Sequence, residues 1–346
     1  MKNNLKWKFF ALALSILLIG LYSCQHSLPR YLLDQGLAQG QLLLNAKNVS
    51  QLLKQGQLSP KEEKFLKLSQ EILNYAQNNY KMNVGNKYRK YYNTQRSWVT
   101  QVVSAAYQDR LETYHFKFPL FGKLPYKGYF NKQDALSLKS RLDKKNLDTS
   151  IRGVRAYSST GWFDDPILNT MFYDLSYFID VLFHELVHSQ FYFPNEANFN
   201  EAFATWFAHI AATDFIQQSK VLSQAEKNLT HQKLEKSLKR GKDLARVIEE
   251  IQLLGKKSYE SKDNLSIVRK KYFNQVQNIF HKNGFKKLAK KQWNNAKIMG
   301  YSTYYKDIQS INDYAVKYSL DAPSFLQRII NKGSEIVKEI YSTRSK

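Results

Sequence analysis

Residues 175–193 read LSYFIDVLFHELVHSQFYF, apolar on almost every side. A helix with this pattern belongs in a protein interior, because it has no polar stripe to turn toward water. Yet it carries His184, Glu185 and His188 in an H-E-x-x-H array. Positions i and i+4 share one helical face, so both imidazoles can aim at one point. Glu185 stands about 100° further round, beside that point and not on it. Unpaired polar groups are costly in an apolar interior. A single cation satisfies both histidines; two hydrogen-bonded core histidines are the alternative.

The array fits zinc. Two imidazoles are common zinc ligands, and a neighbouring glutamate can act as general base on a zinc-bound water. With 7 histidines in 346 residues, chance matches arise on the order of once per hundred chains of this size. An open catalytic site needs a third protein ligand. Pro194 and Asn195 end the helix. Residues 198–208, NFNEAFATWFA, then open a second helix that is again apolar on nearly every face. So short a connection makes the two helices near-antiparallel neighbours. Glu201, in the first turn of the second, is the expected third ligand; a glutamate attracted by the helix dipole is the competing account. Asp180 lies four residues before His184 and either orients an imidazole or complements the helix start.

H-E-x-x-H followed by N-E-x-x-A (Asn200 to Ala204) resembles the zinc metallopeptidases of gluzincin type, here with only 12 residues between His188 and Glu201. The wider text resembles one bacterial family, predicted aminopeptidases that are zinc lipoproteins. The matching blocks are Phe118-Pro119-x-x-Gly122 to Phe130, Ala156-Tyr157-Ser158, and Gly161 to Pro166. The two zinc-helix blocks and Asn294-Asn295-Ala296 complete them. The resemblance implies a zincin-like peptidase acting on a peptide substrate, with Zn2+ as cofactor. It also implies a residue that stabilises the oxyanion. Tyr157, Tyr304 and Asn200 are candidates for that or for an orienting role. Asp164 and Asp165 could hold a substrate amine, or cap the turn before Pro166.

Outward from the motif, residues 25–80 carry leucines near helical spacing, and Ser59-Pro60 with Glu62 and Glu63 starts a helix. Residues 112–130 and 149–157 read as strands, and 134–142 as helix. Residues 217–292 are dense in Lys, Gln and Glu, with a narrow stripe of Leu234, Leu238, Leu244, Ile248 and Ile251. That pattern predicts a helical hairpin with a wet basic face. The expected class is α+β, predominantly α-helical, with a small sheet and the hairpin as an extension of one domain over 24–346.

The amino terminus sets the compartment. Lys2, Lys6 and Lys8 precede an uncharged run from Phe9 to Tyr22. The run is too short to span a bilayer and fits the h-region of a signal peptide over residues 1–23. Leu21-Tyr22-Ser23-Cys24 resembles a lipobox, with bulky Tyr22 the departure from its pattern. Cys24 is the only cysteine, which excludes internal disulfides and Cys-based zinc fingers. The formal charge is +23, of which the three leader lysines supply 3, leaving +20. On an exported lipoprotein such a surplus fits anionic lipid or cell-wall polymer, or serves solubility alone. No nucleic-acid-binding signature accompanies it. Gln25 after Cys24 resembles outer-membrane sorting in cells with two membranes. A non-catalytic, zinc-stabilised envelope module and a cell-wall peptide amidase are the rival functional readings.

Acyl chains hold by apolar burial, which salt does not screen, whereas lysine contacts weaken in salt. Native protein should therefore stay on membranes through a high-salt wash, and intact mass should show lipid on Cys24. Protein that washes off, or a Cys24 without lipid, would refute the anchor.

Overall fold

Helices follow their local start signals. The computed structural model describes residues 28–342 except 119–121, 160 and 306, and except the side chains of 302–305. Cys24 and the leader lie outside the described residues. The chain divides into two compact units, residues 1–46 and 47–346. The first contains α1 (Leu28–Asn45), braced by an Arg30–Asp34 ion pair one turn apart. No helix among the described residues is long and apolar enough to cross a membrane.

In the second unit, β1 (Lys47–Asn48) leads into α2 (Val49–Gln55). The Asn48 side chain caps α2 by accepting from the Gln51 N–H. Next, α3 (Pro60–Tyr80) opens with the expected capping box, in which Ser59 and Glu62 satisfy each other's backbone N–H groups. It buries Phe65, Leu66, Leu68, Ile72, Leu73 and Ala76 along one side. A small sheet has the order β1, β2 (Lys90–Tyr92) and β8 (Ile167–Leu168), with the last pair parallel.

The main sheet is antiparallel, with β3 (Thr100–Tyr107) between β6 (Tyr126–Tyr129) and β7 (Leu147–Val154). Ser104 pairs with Tyr126 and Ser150, and Val102 with Gly128 and Arg152, so these residues share one face. Helix α10 (Asn295–Tyr305) covers that face, with Ala296, Met299 and Gly300 lining a small cavity beside Tyr126 and Arg152. Helix α4 (Lys132–Asp143) packs on the same three strands, its Arg141 beside Lys127 and Tyr129 of the opposite face. The strands expected over 112–130 and 149–157 are present as β4 (Phe116–Phe118), β5 (Gly122–Leu124), β6 and β7. Central β3 is an addition to the sequence reading. It reads TQVVSAAY and is buried on both faces, which removes the period-2 alternation that announces a strand.

Helices α5 (Leu175–His188) and α6 (Ala197–Gln218) form the buried pair. The predicted hairpin is α7 (Gln224–Tyr259) and α8 (Leu265–Lys282), followed by short α9 (Lys286–Ala289). Val247, Ile248, Ile251, Tyr272, Val276, Phe280, Phe285, Trp293 and Ile298 give it a core of its own. Three helices close the chain: α11 (Ile308–Lys317), α12 (Ala322–Lys332) and α13 (Ser334–Ser342). The class is α+β and predominantly helical.

One polar knot joins hairpin and sheet. Arg269 of α8 bonds both oxygens of Asp148 on β7, at 2.8 and 3.0 Å. The same carboxylate accepts the Asn295 N–H at 2.8 Å, and the Asn295 side chain donates to the Tyr107 carbonyl at 2.8 Å. Tyr259 of α7 donates to Asn295 at 2.9 Å. Removing one member of a buried ion pair strands the other. Asp148→Ala should therefore cost about 3 kcal/mol, read as a lower urea midpoint with an unchanged slope; an unchanged midpoint would mean that the knot is dispensable.

Candidate functional site

Asp174 caps α5 by accepting from the Tyr177 N–H, and the helix then runs unbroken through the H-E-x-x-H array. The carboxamide of Asn200 sets the turn to α6. It donates to the Phe193 carbonyl at 2.9 Å and accepts the Phe193 N–H at 3.2 Å. Asn195 within the turn is left-handed, with φ 68°, and accepts the Lys123 N–H of β5 at 2.9 Å. Gly122 lies so close to Asn195 that a Cβ there would sit 2.4 Å from its Oδ1, and Gly122 is itself left-handed at φ 73°. The β4–β5 hairpin is thus seated on the connection between the two helices.

The geometry brings His184, His188 and Glu201 together. The two Nε2 atoms are 3.0 Å apart. Glu201 Oε2 lies 3.4 Å from His184 Nε2 and 3.8 Å from His188 Nε2. All three ligand atoms fall within 4.8 Å of one another. Tetrahedral zinc with bonds of about 2.0–2.1 Å places its ligand atoms about 3.3 Å apart, so the donor set and its spacing fit zinc. The other oxygen, Glu201 Oε1, accepts the Tyr126 hydroxyl at 3.2 Å. Tyr126 thereby holds the carboxylate with Oε2 toward the histidines.

Burial dominates the electrostatics. It pushes Glu185 up to about 8, opposed by His184 and assisted by Glu201 and Asp165. It pulls His188 down to about 4, against Glu201. Burial opposes ionisation of Glu201, yet the bond with His184 and the charges of His188, His184 and Arg152 hold that carboxyl at about 2. His184 is depressed by burial but raised more by Glu201, Glu185 and Asp180, and ends above the ordinary range. A dication held by these residues would compete with a proton on His184 and favour the ionised form of Glu185.

The remaining predicted residues separate. Asp180 sits on the His184 face, pushed up to about 6 by burial with His184 opposing; it makes no hydrogen bond to the imidazole. Asn200 is buried, and both ends of its carboxamide bond the Phe193 backbone, so it holds the turn that leads into the helix of Glu201. Tyr157 packs its ring edge-on to Phe130 at 5.6 Å. The Tyr304 side chain lies outside the described residues. Asp165 is buried and accepts the Ser159 N–H at 2.6 Å and hydroxyl at 2.7 Å, so it closes the turn and does not await a substrate amine. Asp164 is exposed on that turn.

Several neighbours escaped the sequence reading. Tyr126 stands in the block from Gly122 to Phe130 that carries the resemblance, but nothing local marks it as a partner of Glu201. Tyr192 and Arg152 both act electrostatically on Glu201. Tyr88, 1% exposed and left-handed at φ 57°, places its hydroxyl beside Ser158 and within electrostatic reach of Glu185 and Asp165.

The sequence model of one family, described as "Putative aminopeptidase", matches residues 30–336. The chain belongs to that family. Its match spans the two helices that carry His184, His188 and Glu201, the sheet and the basic hairpin. No curated protein and no solved structure matches the chain.

Metal binding requires His184 to release its proton. Zinc affinity should therefore fall as pH drops below the range where His184 titrates, approaching about tenfold per pH unit. Tyr126→Phe frees the Glu201 carboxylate and should weaken zinc binding about 10- to 100-fold with the fold intact. Competition against a chromophoric chelator at pH 5.5 and 7.5 checks both; pH-independent affinity would remove His184 from the ligand set.

Proposed function

We propose that the protein is a zinc-dependent peptide-bond hydrolase, in the aminopeptidase sense of its family, held to the cell envelope by lipid on Cys24. The observation that carries this reading is the convergence of His184, His188 and Glu201 with Glu185 buried beside them. A zinc ion held there supplies a Lewis acid, for both water and a peptide carbonyl.

The chain's own residues supply the rest. Glu185 takes a proton from the attacking water and returns it to the leaving amine, so one carboxylate serves as base and then acid. His184 and His188 hold the ion from one helix, and Glu201 approaches from the next. Tyr126 fixes the rotamer of Glu201. The apolar flanks of α5 and α6 exclude competing water from behind the site. The basic surface of the α7–α8 hairpin faces anionic lipid or cell-wall polymer in this reading, with about 1 kcal/mol per well-placed lysine or arginine added to the acyl anchor.

Glu185→Gln should retain about one zinc per chain and lose peptide cleavage by at least 100-fold. Mass spectrometry of a mixed peptide pool reads the outcome directly. Loss of N-terminal residues marks an aminopeptidase and internal cuts an endopeptidase; cleavage that survives in Glu185→Gln would refute the base assignment.

A further inference from the structure

The segment Gly161-Trp162-Phe163-Asp164-Asp165 carries two large aromatic side chains into solvent. Trp162 is 63% exposed and Phe163 50% exposed. A single exposed aromatic is ordinary, but these two are adjacent and sit on a turn that is tied down from several sides. Ser159 is the hub. Its N–H and hydroxyl reach Asp165 Oδ2 at 2.6 and 2.7 Å, its hydroxyl oxygen accepts the Phe163 N–H at 3.0 Å, and its carbonyl accepts the Trp162 N–H at 3.2 Å. Asp165 is 3% exposed, so the tie is buried. These bonds tie Ser159, Trp162, Phe163 and Asp165 to one another, while the two aromatic side chains remain half or more exposed.

Two further contacts place the turn beside the candidate metal site. Gly161 is left-handed at φ 83°, and a Cβ there would stand 3.0 Å from the Ser189 carbonyl. Ser189 directly follows His188. Trp162 therefore begins one residue, about 3.8 Å between Cα atoms, from a backbone seated on the end of α5. On the other side, the Asp165 carbonyl accepts the Tyr88 N–H at 2.7 Å, and Asp165 acts electrostatically on Glu185. The Tyr88 segment is itself fastened to the end of α5, since Asn83 exchanges bonds with Gln190 at 2.8 and 3.3 Å. The turn that carries the aromatic pair is thus fastened to the end of the same helix that presents His184 and His188.

We propose that Trp162 and Phe163 form an apolar platform that selects peptides with a large aromatic or branched aliphatic side chain next to the scissile bond. The proposal rests on the peptidase reading above and names its substrate class. Rigid aromatic rings offer large apolar area while giving up little side-chain freedom, which suits a recognition surface. A membrane is the other apolar partner that such a pair could meet. The anchoring of this turn to the end of α5 and to Asp165 favours the substrate, because both contacts tie the backbone that bears the rings to the elements around Glu185.

The test uses the full chain loaded with zinc and two peptides of matched length, with Phe or Ala flanking the cut. The ratio of their kcat/KM values should favour Phe in the wild type. Trp162→Ala and Phe163→Ala should each lower it, and the double variant should lower it by roughly ten- to a hundredfold with zinc content unchanged. In a Glu185→Gln background, binding of the Phe peptide should shift the tryptophan emission to the blue, and Trp162→Phe should remove that shift while retaining most of the affinity. Peptide binding that persists where the wild type cuts nothing would overturn the peptidase reading and still support the platform. Equal binding of both peptides by the Glu185→Gln protein, or a preference untouched in the double variant, overturns the platform. So does a double variant that loses only its binding to anionic vesicles, since the rings would then face a membrane.

Discussion

Everything at the centre of this molecule depends on housing three ionisable groups between two largely buried helices. Both helices are buried over most of their surface, and each leaves only a narrow half-buried side. Neither can turn His184, His188 or Glu201 toward water without exposing its neighbours. The solution is mutual: Glu201 faces both imidazoles across the helix pair, and its second oxygen is taken by Tyr126 from the sheet. A cation at that point converts a costly cluster into a bound one.

The rest of the fold serves that arrangement at one remove. The sheet brings Tyr126 and Arg152 to the Glu201 side because β3 aligns their strands in register. Helix α10 closes the same face, and the bonds of Asp148 and Asn295 hold it there together with the hairpin. The Asn294-Asn295-Ala296 block, which the sequence presents without a purpose, is accounted for by this junction. Asn294 bonds the Thr149 carbonyl, Asn295 joins Asp148 to three strand-end carbonyls, and Ala296 is small enough to lie against the sheet.

Legibility in the sequence followed the range of the interaction. His184, Glu185 and His188 are fixed by helical spacing alone, so they were readable from five residues. Glu201 needed one more step, the antiparallel return of a short connection, and remained readable. Ser59 and Glu62 announce α3 because a capping box is local. Tyr126 is 75 residues from Glu201, and only strand register brings it near. Asn200 carries no local mark of the turn it holds, because its two bonds go to Phe193, seven residues earlier. Strand β3 was hidden for the opposite reason. It is so central that both of its faces are apolar, and the alternation that would reveal it is absent.

The contact between Gly122 and Asn195 bears on how this site can vary over evolutionary time. Each residue adopts a left-handed backbone, and the carboxamide of one fills the space where the other would carry a Cβ. Neither position can drift alone: a side chain at 122 evicts Asn195, and a bulkier residue at 195 evicts the hairpin. Insertions in the connection between the two ligand-bearing helices meet the same obstacle, since they carry Asn195 away from its seat. Divergence in the length of that connection is thus expected to travel with remodelling of the hairpin 70 residues earlier in the chain, as a paired change and not as two independent ones.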